Sequence, residues 1–178
     1  VLLIVGVFKG NSSTRFLTMS AIFGLLGIGG VLLFTGTGDS AILNSMFTHD
    51  LFARNIKLVL VVALVASYLL SVKYLYDTGF VKFEYPVLIL LAGLGMFLMV
   101  SASHLLSFYM ALELQSLSLY ILAAFNRHSS RSAEAGVKYF ILGAISSGLI
   151  LFGVSLLYGF TGVLDYASLG DIISSLSG

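Results

Sequence analysis

Apolar residues run along this chain in long unbroken stretches, and polar residues gather in short connectors between them. About 20 mostly apolar residues suffice to cross the ~30 Å hydrocarbon core of a bilayer as a helix. Five stretches meet that length, at 16–34, 51–76, 86–103, 105–125 and 133–158. A shorter one, 1–8, predicts the tail of an earlier span. Pro86 opens the fourth stretch, where a helix start has no use for the N–H that proline lacks. Residues 165–176 are short and mixed, which predicts an interfacial helix or a linker. The pattern predicts an all-α polytopic membrane protein, with helices one (partial) to six over 1–163 and the interfacial helix or linker over 164–178.

The connectors carry an orientation. Those leaving odd-numbered spans hold Lys9 and Arg15, then Lys73 and Lys82, then Arg127 and Arg131. Those leaving even-numbered spans hold Asp39 and Asp50, then only His104. Basic residues beside short loops stay on the cytoplasmic (or matrix) side. The loops at 9–15, 77–85 and 126–132 are therefore expected inside, and 39–50 and His104 outside. Arg54 and Lys57 run against this bias; one turn apart on one helix, they can snorkel to the outer interface.

Composition narrows the class. The 178 residues are 58% hydrophobic and 10% charged, against about 25% charged in a soluble domain. Mean hydropathy is +1.06. With no cysteine, the chain has no disulfide, cysteine-ligated cluster or thiolate zinc site of its own. A net charge of +1 gives no nucleic-acid footprint. Stretch 1–8 lacks the basic region and cleavage site of a signal peptide, and with no initiating methionine a trimmed N-terminus is expected. There is no dinucleotide fingerprint, P-loop or metal-ligand spacing. His49, His104 and His128 lie at connector ends and read as interfacial polar residues. The Gly24/Gly27 and Gly143/Ser147/Gly148 clusters read as places of close helix contact.

Against this apolar background, two charges stand out. Glu113 lies in the middle of the fifth span, with Gln115 and Ser116 on the same turn. A carboxylate at that depth costs roughly 2.5–3.5 kcal/mol on insertion scales, so such a group is expected to pair, titrate or carry protons. Lys138 lies just inside the sixth span, four residues after Glu134 and on the same helix face. A local ion pair accounts for Glu134; Lys138, more than one turn inside, suits proton exchange as well. In an antiparallel hairpin the backbones of Glu113 and Lys138 differ in depth by about 10 Å, which argues against a direct salt bridge.

The sequences EYPVLIL at 84–90, SASHL at 101–105 and LELQSL at 112–117 resemble the antiporter-like membrane subunits of respiratory complex I. The stretch EAGVKYFILGAISSG at 134–148 narrows the resemblance to the chain 2 family of NADH-ubiquinone oxidoreductase, the subunit N type, in its N-terminal half. The likeness is densest over 84–162. It implies a membrane-arm subunit of an NADH:ubiquinone reductase with no redox cofactor of its own, contributing to proton translocation. It implies proton-handling roles for Glu113 and Lys138, with Glu134, Gln115 and Ser116 in support. In the family, the equivalent of Glu113 pairs with a lysine on a broken seventh helix, and full members have about fourteen helices in two inverted repeats. This chain would supply the first half of that fold, so a second polypeptide or a longer parent is expected to carry the rest. The implied partners are other complex I membrane subunits and lipid. The implied location is the mitochondrial inner membrane or, alternatively, a bacterial plasma membrane. Two other readings stay open: a multi-subunit cation/proton antiporter, and a structural complex I subunit without a working channel.

Overall fold

The computed structural model describes residues 2–9, 14–34, 40–42, 46–77, 82–126 and 128–176. Asp39 and Arg127, which entered the orientation reading, lie outside the described residues. The chain forms seven helices there: α1 Leu2–Lys9, α2 Thr14–Phe34, α3 Leu51–Asp77, α4 Glu84–Ser101, α5 Leu105–Ala123, α6 Ser130–Thr161 and α7 Tyr166–Leu176. Helices α2 to α6 are each long and apolar enough to cross a membrane. This is a multi-pass helical membrane protein.

The helix ends follow local chemistry. Pro86 is the third residue of α4, not its first, but still in the turn whose N–H groups have no partner within the helix. Ser129 caps α6 by accepting from the Ser132 N–H, and α6 ends at Gly162, whose φ of 71° is the left-handed conformation glycine adopts freely. Helix α6 starts three residues before the predicted apolar run and ends three after it, because a polar turn extends a helix as readily as an apolar one.

The polar connector between α2 and α3 is not simply a loop. Its strands β1, Ser40–Ile42, and β2, Phe47–His49, pair antiparallel. This short hairpin is an addition to an otherwise all-α fold. The strands are three residues each, too short for alternation to be read in sequence. Phe47 bridges Ala102, and the Ser103 N–H donates to the Met46 carbonyl at 3.0 Å. The Leu105 N–H donates to the Leu164 carbonyl at 2.9 Å, and the Tyr166 N–H donates to the Ser103 carbonyl at 3.1 Å. Residues 102–105 thus tie the hairpin, the α4–α5 turn and the start of α7 together on one side, the side predicted to face outward.

The best-buried core lies between α2, α3 and α4, built from Ala21, Leu25, Val61, Leu64, Tyr68 and Ile89. Tyr68 is fully buried and its hydroxyl donates to the Pro86 carbonyl at 2.5 Å, stapling α3 to the first turn of α4. Small residues set the helix spacing, and of the glycines the sequence suggested Gly143 does so while Gly24, Gly27 and Gly148 do not. A Cβ on Gly24 or Gly27 would meet nothing within 4 Å, so neither is a close-contact position among the described residues. Gly95 instead lies against the backbone of Ala111 and Gln115 on α5. Gly136 lies against Ala124, and Gly143 against the Tyr120 ring. The pairs α4–α5 and α5–α6 are close because of these three glycines. Helix α6 packs mainly on α5, so most of its surface is exposed apolar side chain.

Candidate functional site

Close approach of α5 and α6 sets the geometry around Glu113. Ser147 on α6 donates a hydrogen bond from its hydroxyl to Glu113 Oε1. The same hydroxyl lies 3.0 Å from the hydroxyl of Tyr109, one turn before Glu113 on α5. A serine hydroxyl has one proton to give. With that proton on the carboxylate, Tyr109 donates to Ser147, and a chain runs from Tyr109 through Ser147 to Glu113. Ser147 is 9% exposed, and Glu113 and Tyr109 are half-buried. A carboxyl group in this position has hydrogen-bonded company within the chain and need not be bare at mid-membrane.

Lys138 is elsewhere. Its ammonium pairs with Glu134 at 2.5 Å, an i,i+4 contact whose side chains are 69% and 61% exposed. Among the described residues it is the one salt bridge. Ser147, which meets Glu113, is nine residues further along α6, about 13 Å at 1.5 Å per residue. The structure therefore brings Glu113 together with Ser147 and Tyr109, and does not bring it to Lys138. Nor is Gln115 or Ser116 hydrogen-bonded to Glu113 among the described residues. Gln115 instead packs its backbone and Cβ beside Gly95, where it holds α5 to α4.

A cleft of about 500 Å³ opens between α4, α5 and α6 at the end predicted to face inward. Lys82 and Glu84 stand on its rim, and Tyr120, Ala124 and Gly136 line it. Tyr120 stacks edge-on against Tyr139 and Phe140 of α6, with ring centroids 4.8 Å and 5.7 Å away. Oε2 of Glu84 is buried with no hydrogen-bond partner among the described residues. From Tyr120 to Glu113 is seven residues along α5, about 10 Å. The cleft thus carries polar groups to within two turns of the mid-span acid.

Three residues in this arrangement were not read as chemical from sequence. Ser147 was grouped with glycines as a packing position, Tyr109 was one aromatic among many, and Glu84 sat at a helix end. A serine four residues from Gly143 offered a weak signal, but its partner on another helix could not be read. Outside the spans, the carboxyl of Asp165 is held below the usual carboxylate range, chiefly by hydrogen bonds from Ser168, whose N–H lies 2.8 Å from Oδ1. It caps α7 on the outer side, where burial raises the Tyr166 phenol.

Comparison with known proteins bears on the family. Residues 102–177 match the family described as NADH:quinone oxidoreductase/Mrp antiporter, TM. Over 174 residues, 98% of the chain, it is 43% identical to NADH-quinone oxidoreductase subunit N of Parvibaculum lavamentivorans, covering 36% of that protein. It is 46% identical to subunit N 1 of Rhizobium meliloti over 90% of the chain and 33% of that protein. The chain thus spans about a third of the length of these curated relatives. Among solved structures, one in respiratory complex I from Thermus thermophilus with bound aureothin superposes with a TM-score of 0.72 at 29% identity, over 92% of this chain and 35% of that one. One in the archaeal membrane-bound sulfane sulfur reductase superposes with a TM-score of 0.67 at 25% identity, over 89% of this chain and 34% of that one.

Proposed function

Because this chain is a member of the antiporter-like membrane subunit family that includes NADH-quinone oxidoreductase subunit N, we propose that it works in the membrane arm of respiratory complex I. There it contributes buried polar groups to proton translocation coupled to NADH–quinone electron transfer, as a subunit without redox chemistry of its own. The observation that carries the proposal is the mid-span carboxyl of Glu113 held by Ser147 of the neighbouring helix, with Tyr109 behind it. Glu113 holds and releases the proton. Ser147 and Tyr109 orient the carboxyl and can pass a proton along hydroxyls. Lys138, paired with Glu134, forms a second charged station nearer the inner end. Water in the cleft rimmed by Lys82 and Glu84 would link that end to Tyr120. Gln115 and Ser116 support by packing and polarity. Other complex I membrane subunits are the proposed partners, in a mitochondrial inner membrane or a bacterial plasma membrane; the relatives named above are bacterial.

The test is Glu113→Gln in the assembled complex, scored as protons taken up per NADH oxidised. The variant is expected to pump less with each turnover or to turn over more slowly. Full pumping at full rate overturns the role of Glu113.

A second reading is favoured by the family's own description, which joins quinone oxidoreductases with Mrp antiporters. In that case the chain would serve a cation/proton exchanger. Sodium-dependent proton exchange by an assembly that does not oxidise NADH would support it over the first.

A further inference from the structure

At the other side of the bundle from Glu113, helices α2 and α3 leave an open groove of about 410 Å³. Three rungs line it: Arg15 and Thr18 with Tyr76, Met19 with Val72, and Ile22 with Leu69; Thr18 is buried and its hydroxyl donates to the Thr14 carbonyl. The helices are antiparallel, so each rung lies about one turn below the last, and Arg15 to Ile22 spans about 10 Å. The top rung is polar and cationic. The lower two are wholly apolar. Arg15 is exposed and has no ion-pair partner among the described residues. Lys73, also exposed, lies four residues after Leu69 and three before Tyr76, on the face of α3 that borders the groove. Asp77, the nearest acid along α3, is turned about 100° around the helix from Tyr76 but follows Lys73 by four residues and shares its face, so Arg15 is the principal cation of the groove.

We propose that this groove is a binding site for an anionic phospholipid of the inner leaflet. The phosphate meets the Arg15 guanidinium, which offers a fork of N–H donors suited to phosphate. The Tyr76 hydroxyl stands at headgroup level, where amphipathic rings sit at a membrane interface. The first carbons of one acyl chain lie along Met19, Val72, Ile22 and Leu69. Lys73 adds a second positive charge at the rim. The end of α2 that holds Arg15 is the one the connector charges assign to the cytoplasmic or matrix side, and basic pockets between spans on that side suit anionic headgroups. A zwitterionic lipid would fill the apolar rungs equally well and also offers a phosphate, but its headgroup cation offsets that charge beside Arg15 and Lys73, so net headgroup charge is what selects the occupant. This site is separate from Glu113 and does not rest on the pumping proposal.

The purified assembly carrying the full chain is reconstituted in phosphatidylcholine vesicles containing a trace of photoreactive phosphatidylglycerol or, in parallel, photoreactive phosphatidylcholine. Adducts are mapped by peptide mass spectrometry. Labelling within 19–22 and 69–72 is expected to be about fivefold stronger with the anionic probe for each cation engaged. Arg15→Gln should bring it down about fivefold, and Lys73→Gln should lower it further, with assembly on native gels unchanged. Met19→Trp, which fills the middle of the groove, should block both probes there. Equal labelling by the two probes, labelling by neither, or anionic labelling unchanged by Arg15→Gln each overturns the proposal.

Discussion

Replacing Gly95 by alanine tests whether the α4–α5 contact is as tight as the structure has it. A Cβ there would lie 2.7 Å from the Gln115 backbone nitrogen, 2.8 Å from the Ala111 carbonyl oxygen and 2.9 Å from the Gln115 Cβ. Non-bonded heavy atoms rest at about 3.5–4.0 Å. Helices α4 and α5 must therefore part by roughly 0.8 Å, since two of the three obstacles are backbone and cannot rotate away. Overpacking of this kind costs about 1–3 kcal/mol. Alanine returns up to about 1 kcal/mol through helix propensity. The rigid neighbours put the cost in the upper part of its range, leaving a net loss of about 1–2 kcal/mol. For a chain of this size that is a drop of roughly 3–6 °C in Tm. Ala111 and Gln115 bracket Glu113 from the opposite face of α5, so the same displacement shifts the carboxyl relative to Ser147 on α6, and coupled pumping should fall with Tm. Thermal unfolding of the detergent-solubilised protein, followed by circular dichroism, reads the first effect. Gly24→Ala is the control, because a Cβ there meets nothing within 4 Å; its Tm should hold or rise. A Gly95→Ala protein as stable as the parent would refute the packing argument.

Other outcomes follow from separate contacts. Ser147→Ala removes the hydroxyl between Glu113 and Tyr109 and should lower pumping several-fold, whereas Ser147→Thr should retain more of it; equal pumping by both would remove Ser147 from the path. Tyr68→Phe loses the bond to the Pro86 carbonyl and should cost about 1 kcal/mol in unfolding free energy, since that carbonyl also faces the next turn of its own helix. The depressed Asp165 carboxyl favours the docked α7 at any pH above its unfolded value of about 3.9. That contribution is lost as pH falls through the lower folded value, so hydrogen exchange of the Leu169 amide should be flat in this respect from neutral pH to about 5 and quicken only in stronger acid. Asp165→Asn should abolish that acid-dependent step; a step persisting in the variant would assign it to another group.

The sequence alone determined the spans, because twenty apolar residues in a row have no stable place except a bilayer or a buried helix core. It also singled out Glu113 and Lys138, because a charge within such a run is costly enough to be visible against its surroundings. Helix ends were legible to within a few residues, with Pro86 marking the start of α4, whereas the stop of α6 at Gly162 was seen only in the structure. What surrounds Glu113 was decided by tertiary structure. Ser147 is 34 residues away in the chain, and a serine in an apolar helix looks the same in sequence whether it bonds its own backbone, as Ser146 does with the Leu142 carbonyl, or a carboxyl on the next helix. The glycines teach the same lesson. Gly24, Gly27 and Gly148 read as contact positions and face open space, Gly143 read as one and is one, and Gly95 and Gly136 carry contacts that were not read from sequence. A missing Cβ permits close approach, but the rotation of each helix about its axis decides whether a neighbour comes to fill the gap. That rotation is fixed by packing across several helices at once, and no single stretch of the chain encodes it.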